Sequence, residues 1–330
     1  MRLLHSTSAS EIARIGDGAG MPCFNPSDFE AQRAEVHLCA VAGDSEVQAR
    51  CSLWQSHTPQ YKKYRVGIIG HYAASNNEGA SAVLAEAEDR LRSAGFTLAI
   101  GPMNGNTWRS YRFVTEAGDQ PPFFLEPTNP PEWPLQFEGA GFSSLASYFS
   151  GLNSDLSRPD ARAEELKKKM ADAGVTIRSA NSDLRRELDG IYTVSQVSFK
   201  QNFLYTEIPP TDFVRMYEPV LPLARPELVL IAERGKDCVG YLFAIPDLAQ
   251  AARGLPVDTF IIKTVAILPN PELRGLGTFL ITRAQQLGST MGFRRCIHAL
   301  MFEHNSSLKI SRRYAAVMRK YTLYAKELMR

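Results

Sequence analysis

The chain has 330 residues, enough for about two domains of roughly 150 residues, each with a core of its own. Its 37 Lys+Arg against 35 Asp+Glu leave a net charge of only +2, which excludes bulk attraction to nucleic acid or to a membrane surface and leaves a protein that handles small molecules. Five cysteines, Cys23, Cys39, Cys51, Cys238 and Cys296, are odd in number, far apart and never in a CxxC spacing, so neither a disulfide framework nor a metal site follows. The opening MRLLHSTSASEIARI lacks the apolar core of a signal peptide, and no run approaches the roughly 18 apolar residues of a membrane span, so a cytoplasmic location is the expectation.

In chain order, HLCAVAGDSEVQARCSLW (37–54) gives two alternating runs around a Gly-Asp turn, the pattern of a β-hairpin. YRVGIIGHYA then predicts a strand and a polar turn. The helix that follows buries Val83, Leu84, Ala87 and Leu91 at helical spacing and stops at Gly95, placed for a left-handed cap. After the strand TLAIGPM comes GPMNGNTWRSYRF (101–113), where Trp108, Arg109, Tyr111 and Arg112 crowd rings and guanidinium groups beside a Gly-Asn turn. That composition suits either a grip on an anionic or planar ligand or packing between domains. The Pro-rich, apolar PPFFLEPTNPPEWP reads as a lid or docking strap, and AGFSSLASYFSGL as a closing strand.

The polar helix SRPDARAEELKKKMADAG (157–174) marks a boundary between domains 1–155 and 156–330. Beyond it the order repeats. ELVLIAERGKDCVGYLFAI is a hairpin and DTFIIKTVAIL a strand. A helix follows, burying Leu276, Phe279, Leu280, Ala284 and Leu287 and stopping at Gly292; RRCIHALMF and AAVMRKYTLYAKEL are the last two strands. One α/β unit used twice is the simplest account.

The turn from Asn270 to Thr278 joins a strand end to a helix start, the place where ligands settle in α/β sheets. The first helical amides have no internal partners, and the helix dipole favours an anion there. Gly275 and Gly277 let the backbone come close to a phosphate, and Arg274 adds a charged donor. By themselves these residues fit a phosphate cradle or merely a helix start that needs room.

VAILPNPELRGLGTFL resembles the acyl-CoA-binding motif of the GNAT superfamily of N-acetyltransferases. Val265, Ala266 and Ile267 match its strand, Pro271 and Arg274 its PxxR element and Gly277 its first glycine, while Phe279 departs from its last small position. HNSSLKISRRY (304–314) is similar to the family's Asn-containing helix start, with Asn305 facing the CoA arm; the family's tyrosine position holds Arg312, with Tyr314 two residues on. The first half is a weaker copy: Asn76 stands in the place of Arg274, Gly79 in that of the glycine and Ser81 in that of the small residue.

The resemblance implies an α/β fold of two tandem GNAT-like domains, each a mixed, mainly antiparallel central sheet flanked by helices. It implies acetyl-CoA, or another acyl-CoA, as cosubstrate, and transfer of the acyl group to an amine of a small molecule or peptide. Val265, Ala266 and Ile267 would bond the pantetheine arm, and Arg274, Gly275, Leu276, Gly277 and Thr278, with Asn305, would hold the rest. The strand position where many members carry a carboxylate holds Lys263. Glu303, His304 and Tyr314 are the remaining candidates for acid and base, and Trp108, Arg109, Tyr111 and Arg112 for acceptor binding. Two other readings stay open: a non-catalytic acyl-CoA-binding or sensing module, and a Fem-type aminoacyl transferase, against which the near-neutral charge counts.

Overall fold

The computed structural model describes residues 1–43, 46–157, 160–304 and 311–329. Its strands are β1 (Arg2–Ser6), β2 (Val36–Ala42), β3 (Glu46–Trp54), β4 (Val66–Ala74), β5 (Leu98–Gly101), β6 (Phe113–Glu116), β7 (Ser143–Asn153), β8 (Val175–Ser179), β9 (Val229–Arg234), β10 (Asp237–Pro246), β11 (Thr259–Ile267), β12 (Arg295–Phe302) and β13 (Ala316–Glu327). The helices are α1 (Ala9–Ile15), α2 (Pro26–Ala31), α3 (Asn77–Ser93), α4 (Glu132–Gly139), α5 (Ala163–Asp172), α6 (Leu188–Phe199), α7 (Pro210–Tyr217), α8 (Leu248–Ala252) and α9 (Leu276–Thr290). No helix among the described residues is long and apolar enough to cross a membrane.

Both hairpins form as predicted, one from alternating runs and one from apolar runs around a turn: β2 pairs β3, and β9 pairs β10, antiparallel. The helices that follow bury the expected faces, with Val83, Leu84, Ala87 and Leu91 at the centre of one core cluster and Leu276, Leu280 and Ala284 in another. At about 1.5–3 kcal/mol for each large aliphatic side chain, burial of these faces is what holds each helix on its sheet. Gly95 and Gly292 both take left-handed conformations, φ +82° and +92°, one residue past their helix caps.

All the strands join one sheet, ordered β1-β2-β3-β4-β5-β13-β7-β12-β11-β10-β9-β8, with β6 on β13. Each half's closing strand therefore leaves its own half. The first half's β7 runs antiparallel beside β12, and the second half's β13 runs antiparallel beside β5 and β6. The exchanged strands then pair with each other from Ala316↔Leu152 to Ala325↔Ser143. In each half the parallel pair, β4 with β5 or β11 with β12, is the place where helix crossover forces an otherwise antiparallel sheet to change direction.

Candidate functional site

Strands β11 and β12 pair in parallel only from Thr259↔Arg295 to Ile262↔His298, although β11 runs on to Ile267 and β12 to Phe302. Two irregularities part them. The β10–β11 register shifts between Phe243 and Ala244, leaving Lys263 as the extra residue of a bulge, and the β12–β7 register shifts between His298 and Met301. Leu300, at that second break, takes φ +56°. Among the described residues no backbone group outside β10 bonds to Thr264, Val265 or Ala266, so their far edge faces the gap.

The chain leaves β11 through a single 3-10 turn, Pro271–Leu273, capped by the Asn270 side chain on the Glu272 amide (2.9 Å). Gly275, at φ +103°, then starts α9 without a side-chain cap. A Cβ at Gly275 would also lie 3.1 Å from Leu166 of α5, so conformation and space both call for glycine. The first amides of α9 are left to whatever lies beyond them. Arg274 is exposed, and among the described residues its guanidinium makes no hydrogen bond or ion pair; its neighbour Glu272 is taken by Arg234 (2.6 Å). Phe279, which departs from the family pattern, lays its half-buried ring against the core cluster under α9.

The first half answers each of these features differently. Its ladder likewise ends early, at Ile68↔Ile100, but the chain after β5 turns back into the gap. Met103 donates its amide to Ile69 O (2.9 Å), and the Asn104 side chain accepts from the His71 amide (2.8 Å). The approach is so close that a Cβ on Gly70 would come within 2.0 Å of Met103 O. At the helix start, Asn76 caps α3 by accepting from the Gly79 amide (2.8 Å). Beside β4 a buried cluster fills the space, with Ser52 Oγ between His37 Nδ1 (2.8 Å) and His71 Nδ1 (2.9 Å) and Phe24 against both imidazoles. Burial, reinforced by nearby cations, pushes both histidines down to about 3, so they are neutral.

The other predicted residues lie around the second gap. Glu303 extends the β12–β7 pairing: its amide donates to Ser147 O (3.1 Å) and its carboxylate accepts from the Ser147 amide (3.3 Å). His304 is exposed and 3.6 Å from that carboxylate. Asn305 lies outside the described residues. The Tyr314 hydroxyl meets Asp160, Arg162 (3.1 Å) and Thr282 of α9 (3.3 Å) beside an open cleft of about 630 Å³. Burial opposes ionisation of Asp160, but hydrogen bonds from Arg162 and Tyr314 hold it down at about 2; burial and that carboxylate push the Tyr314 phenol up.

The loop 101–113 is tied into protein on both sides. Trp108 donates to Thr206 O (2.8 Å) and packs among Phe199, Tyr205 and Phe213, while Arg109 donates to Gln32 O (2.8 Å) and Ala31 O (3.3 Å). Arg112, at φ +77°, places its guanidinium against Tyr111 and Tyr148, 3.7 and 4.0 Å from the ring centres, and donates to Leu300 O (3.3 Å) at the β12 break.

What sequence reasoning missed is the anchor of the strap. Arg319 on β13 donates to Ala117 O (2.8 Å), Gln120 O and Glu126, and Glu126 also accepts from Tyr321. This holds Phe123 in the core against α6 and α7, and Leu125 O over Lys263 Nζ (3.2 Å). An arginine in a strand of alternating apolar residues was the available signal.

Among the described residues, a helix start left open, a strand edge left free and two halves repeating one β-α-β plan make a tandem GNAT-like fold. No protein-family model matches the chain, and no curated protein matches it by sequence. Solved structures do. A tandem GNAT protein from the clavulanic acid biosynthesis pathway is 13% identical with a TM-score of 0.52, over 100% of this chain and 99% of that one. A GCN5-related N-acetyltransferase from Anabaena variabilis is 9% identical with a TM-score of 0.57, over 99% and 73%. One from Sphaerobacter thermophilus is 14% identical with a TM-score of 0.51, over 89% and 81%. At these identities the likeness is one of fold.

Proposed function

We propose that the protein is an N-acyltransferase that takes an acyl group, most simply acetyl, from CoA in its second half and passes it to an amine. The observation that carries this reading is the contrast between the halves: among the described residues the β11–β12 gap and the α9 start are free, while the corresponding places in the first half are filled by Met103, Asn104 and Asn76. The amides from Gly275 to Thr278, with Arg274, would hold the pyrophosphate. The edge of Val265 and Ala266, free among the described residues, would bond the pantetheine arm as an added strand, with Ile267, whose carbonyl accepts from the Ser198 hydroxyl (2.7 Å), at its end. CoA supplies the acyl group as a thioester.

The acceptor reaches the gap from the face of α6, α7 and the strap. Tyr111 and Arg112 stand at its edge through the Arg112 bond to Leu300 O, and Trp108 and Arg109 hold their loop in place. A neutral amine placed against the thioester reacts chiefly through proximity. Glu303 and His304 lie at the β12 end as candidates to receive its proton, and Tyr314 flanks α9. Calorimetric titration of acetyl-CoA into the wild type and an Arg274→Ala, Gly277→Val double variant tests the reading. Binding at micromolar concentration that the double variant loses supports it; no binding to the wild type refutes it. Release of free CoA with a panel of amines separates transfer from a purely sensing role.

A further inference from the structure

Lys263 occupies an unusual position. It is the extra residue of the β11 bulge and the first residue past the last β11–β12 pair, Ile262↔His298. A bulge puts two successive side chains on one face. Here Lys263 and Thr264 both turn away from α9: Lys263 Nζ reaches Leu125 O on the strap (3.2 Å), and Thr264 reaches Tyr217 of α7. The amine therefore stands on the acceptor side of the very opening through which an acyl group in the gap would emerge.

Its surroundings favour the charged form less than water does. Leu125 O is the one hydrogen-bond acceptor it meets among the described residues, and no carboxylate lies within ion-pair distance. Burial, then the like charge of Arg112, lower its pKa to about 8, and the Glu126 carboxylate opposes them only in part. A larger share of this half-buried amine is therefore neutral, and nucleophilic, at a given pH than of an ordinary lysine.

Resting on the acyl-CoA reading above, we propose that Lys263 is a site of self-acylation: the chain acylates its own ε-amine from the thioester bound in the β11–β12 gap. The Lys263 nitrogen attacks the thioester carbonyl carbon, so that a C–N bond forms and the C–S bond breaks. The sulfur leaves with the electron pair of that bond, and the proton lost by nitrogen ends on it, giving free CoA thiol and an amide. No oxidant, reductant or further reactant is required. The product is uncharged, occupies the acceptor side of the gap and limits transfer to other amines.

The test uses the full chain with acetyl-CoA at pH 8, read by intact mass and peptide mapping. The expected result is one acetyl group per chain, on Lys263, formed at least about tenfold faster than on the exposed Lys167, Lys168 or Lys169, and saturating with acetyl-CoA. The Lys263→Arg variant keeps a donor for Leu125 O and is expected to bind CoA in calorimetry while losing the label. Competitive labelling with a small acylating reagent, without CoA, should show Lys263 reacting with a midpoint near pH 8, well below the other lysines. CoA binding with Lys263 unmodified, or with acetyl spread evenly over the surface lysines, overturns self-acylation and leaves the acyl-CoA reading standing. No CoA binding at all overturns both, whatever the reagent finds.

Discussion

Replacing Arg319 by leucine should detach the strap of the first half from the sheet beneath the second. The Arg319 and Glu126 side chains are 3% and 1% exposed, and the guanidinium also serves Ala117 O and Gln120 O. Removing one partner of a buried ion pair leaves the other charge uncompensated, a cost of about 3–5 kcal/mol. Glu126 can escape part of that cost by taking up a proton. Burial already raises its pKa in the wild type against the bonds from Tyr321 and Arg319, and losing the arginine raises it further. A carboxyl whose folded pKa lies above its unfolded value binds more protons when folded, so its contribution is fully present below the unfolded pKa and is lost as pH rises through the folded one. The Arg319→Leu deficit should therefore be smaller near pH 5 than near pH 8 in urea unfolding. Adding Glu126→Gln should recover much of it and flatten the pH dependence. A deficit under about 1 kcal/mol, or one that grows as pH falls, would refute the reasoning.

Further outcomes follow from the two gaps and their helix starts. Arg274→Ala should weaken CoA binding by about tenfold in low salt and by less at high ionic strength, since the guanidinium is exposed and screened; calorimetry at two salt concentrations checks it. Gly275→Ala should cost about 1–2 kcal/mol of stability, from left-handed strain plus crowding at Leu166, measured by denaturant unfolding. Gly70→Ala should cost about 1–3 kcal/mol or more by driving Met103 out of the first gap, and faster exchange of the Met103 and His71 amides would report it. Deleting residues 1–155 removes β7 from between β12 and β13, so the remaining half should lack a cooperative unfolding transition; a well-folded fragment would contradict the strand exchange.

Much of the fold was legible because its signals are local. Alternating or apolar runs around a turn gave the hairpins, the apolar spacing from Val83 to Leu91 and from Leu276 to Leu287 gave the paired helices, and Gly95 and Gly292 gave their ends. Of the candidate site, the turn geometry was legible in the same way. Arg274 and Gly275 can be read from the turn, because the backbone geometry that needs a glycine is set within a few residues. The loop 101–113 was legible only as a choice between ligand grip and packing, since nothing local says what Trp108 and Arg109 will touch; they meet Thr206 O and Gln32 O, far away along the chain.

The sequence by itself thus determined the hairpins, the helices α3 and α9 that follow them, the twofold repetition and the glycine-built start of α9. Tertiary structure alone decided which half's strands each closing strand lies beside, because β7 and β13 carry similar alternating patterns and their pairing depends on edges distant in sequence. It also decided how two similar gaps differ among the described residues. One segment, Met103–Asn104, folds back and takes the bonds on offer in the first half, while in the second the bulge at Lys263 and the break at Leu300 hold the strands apart.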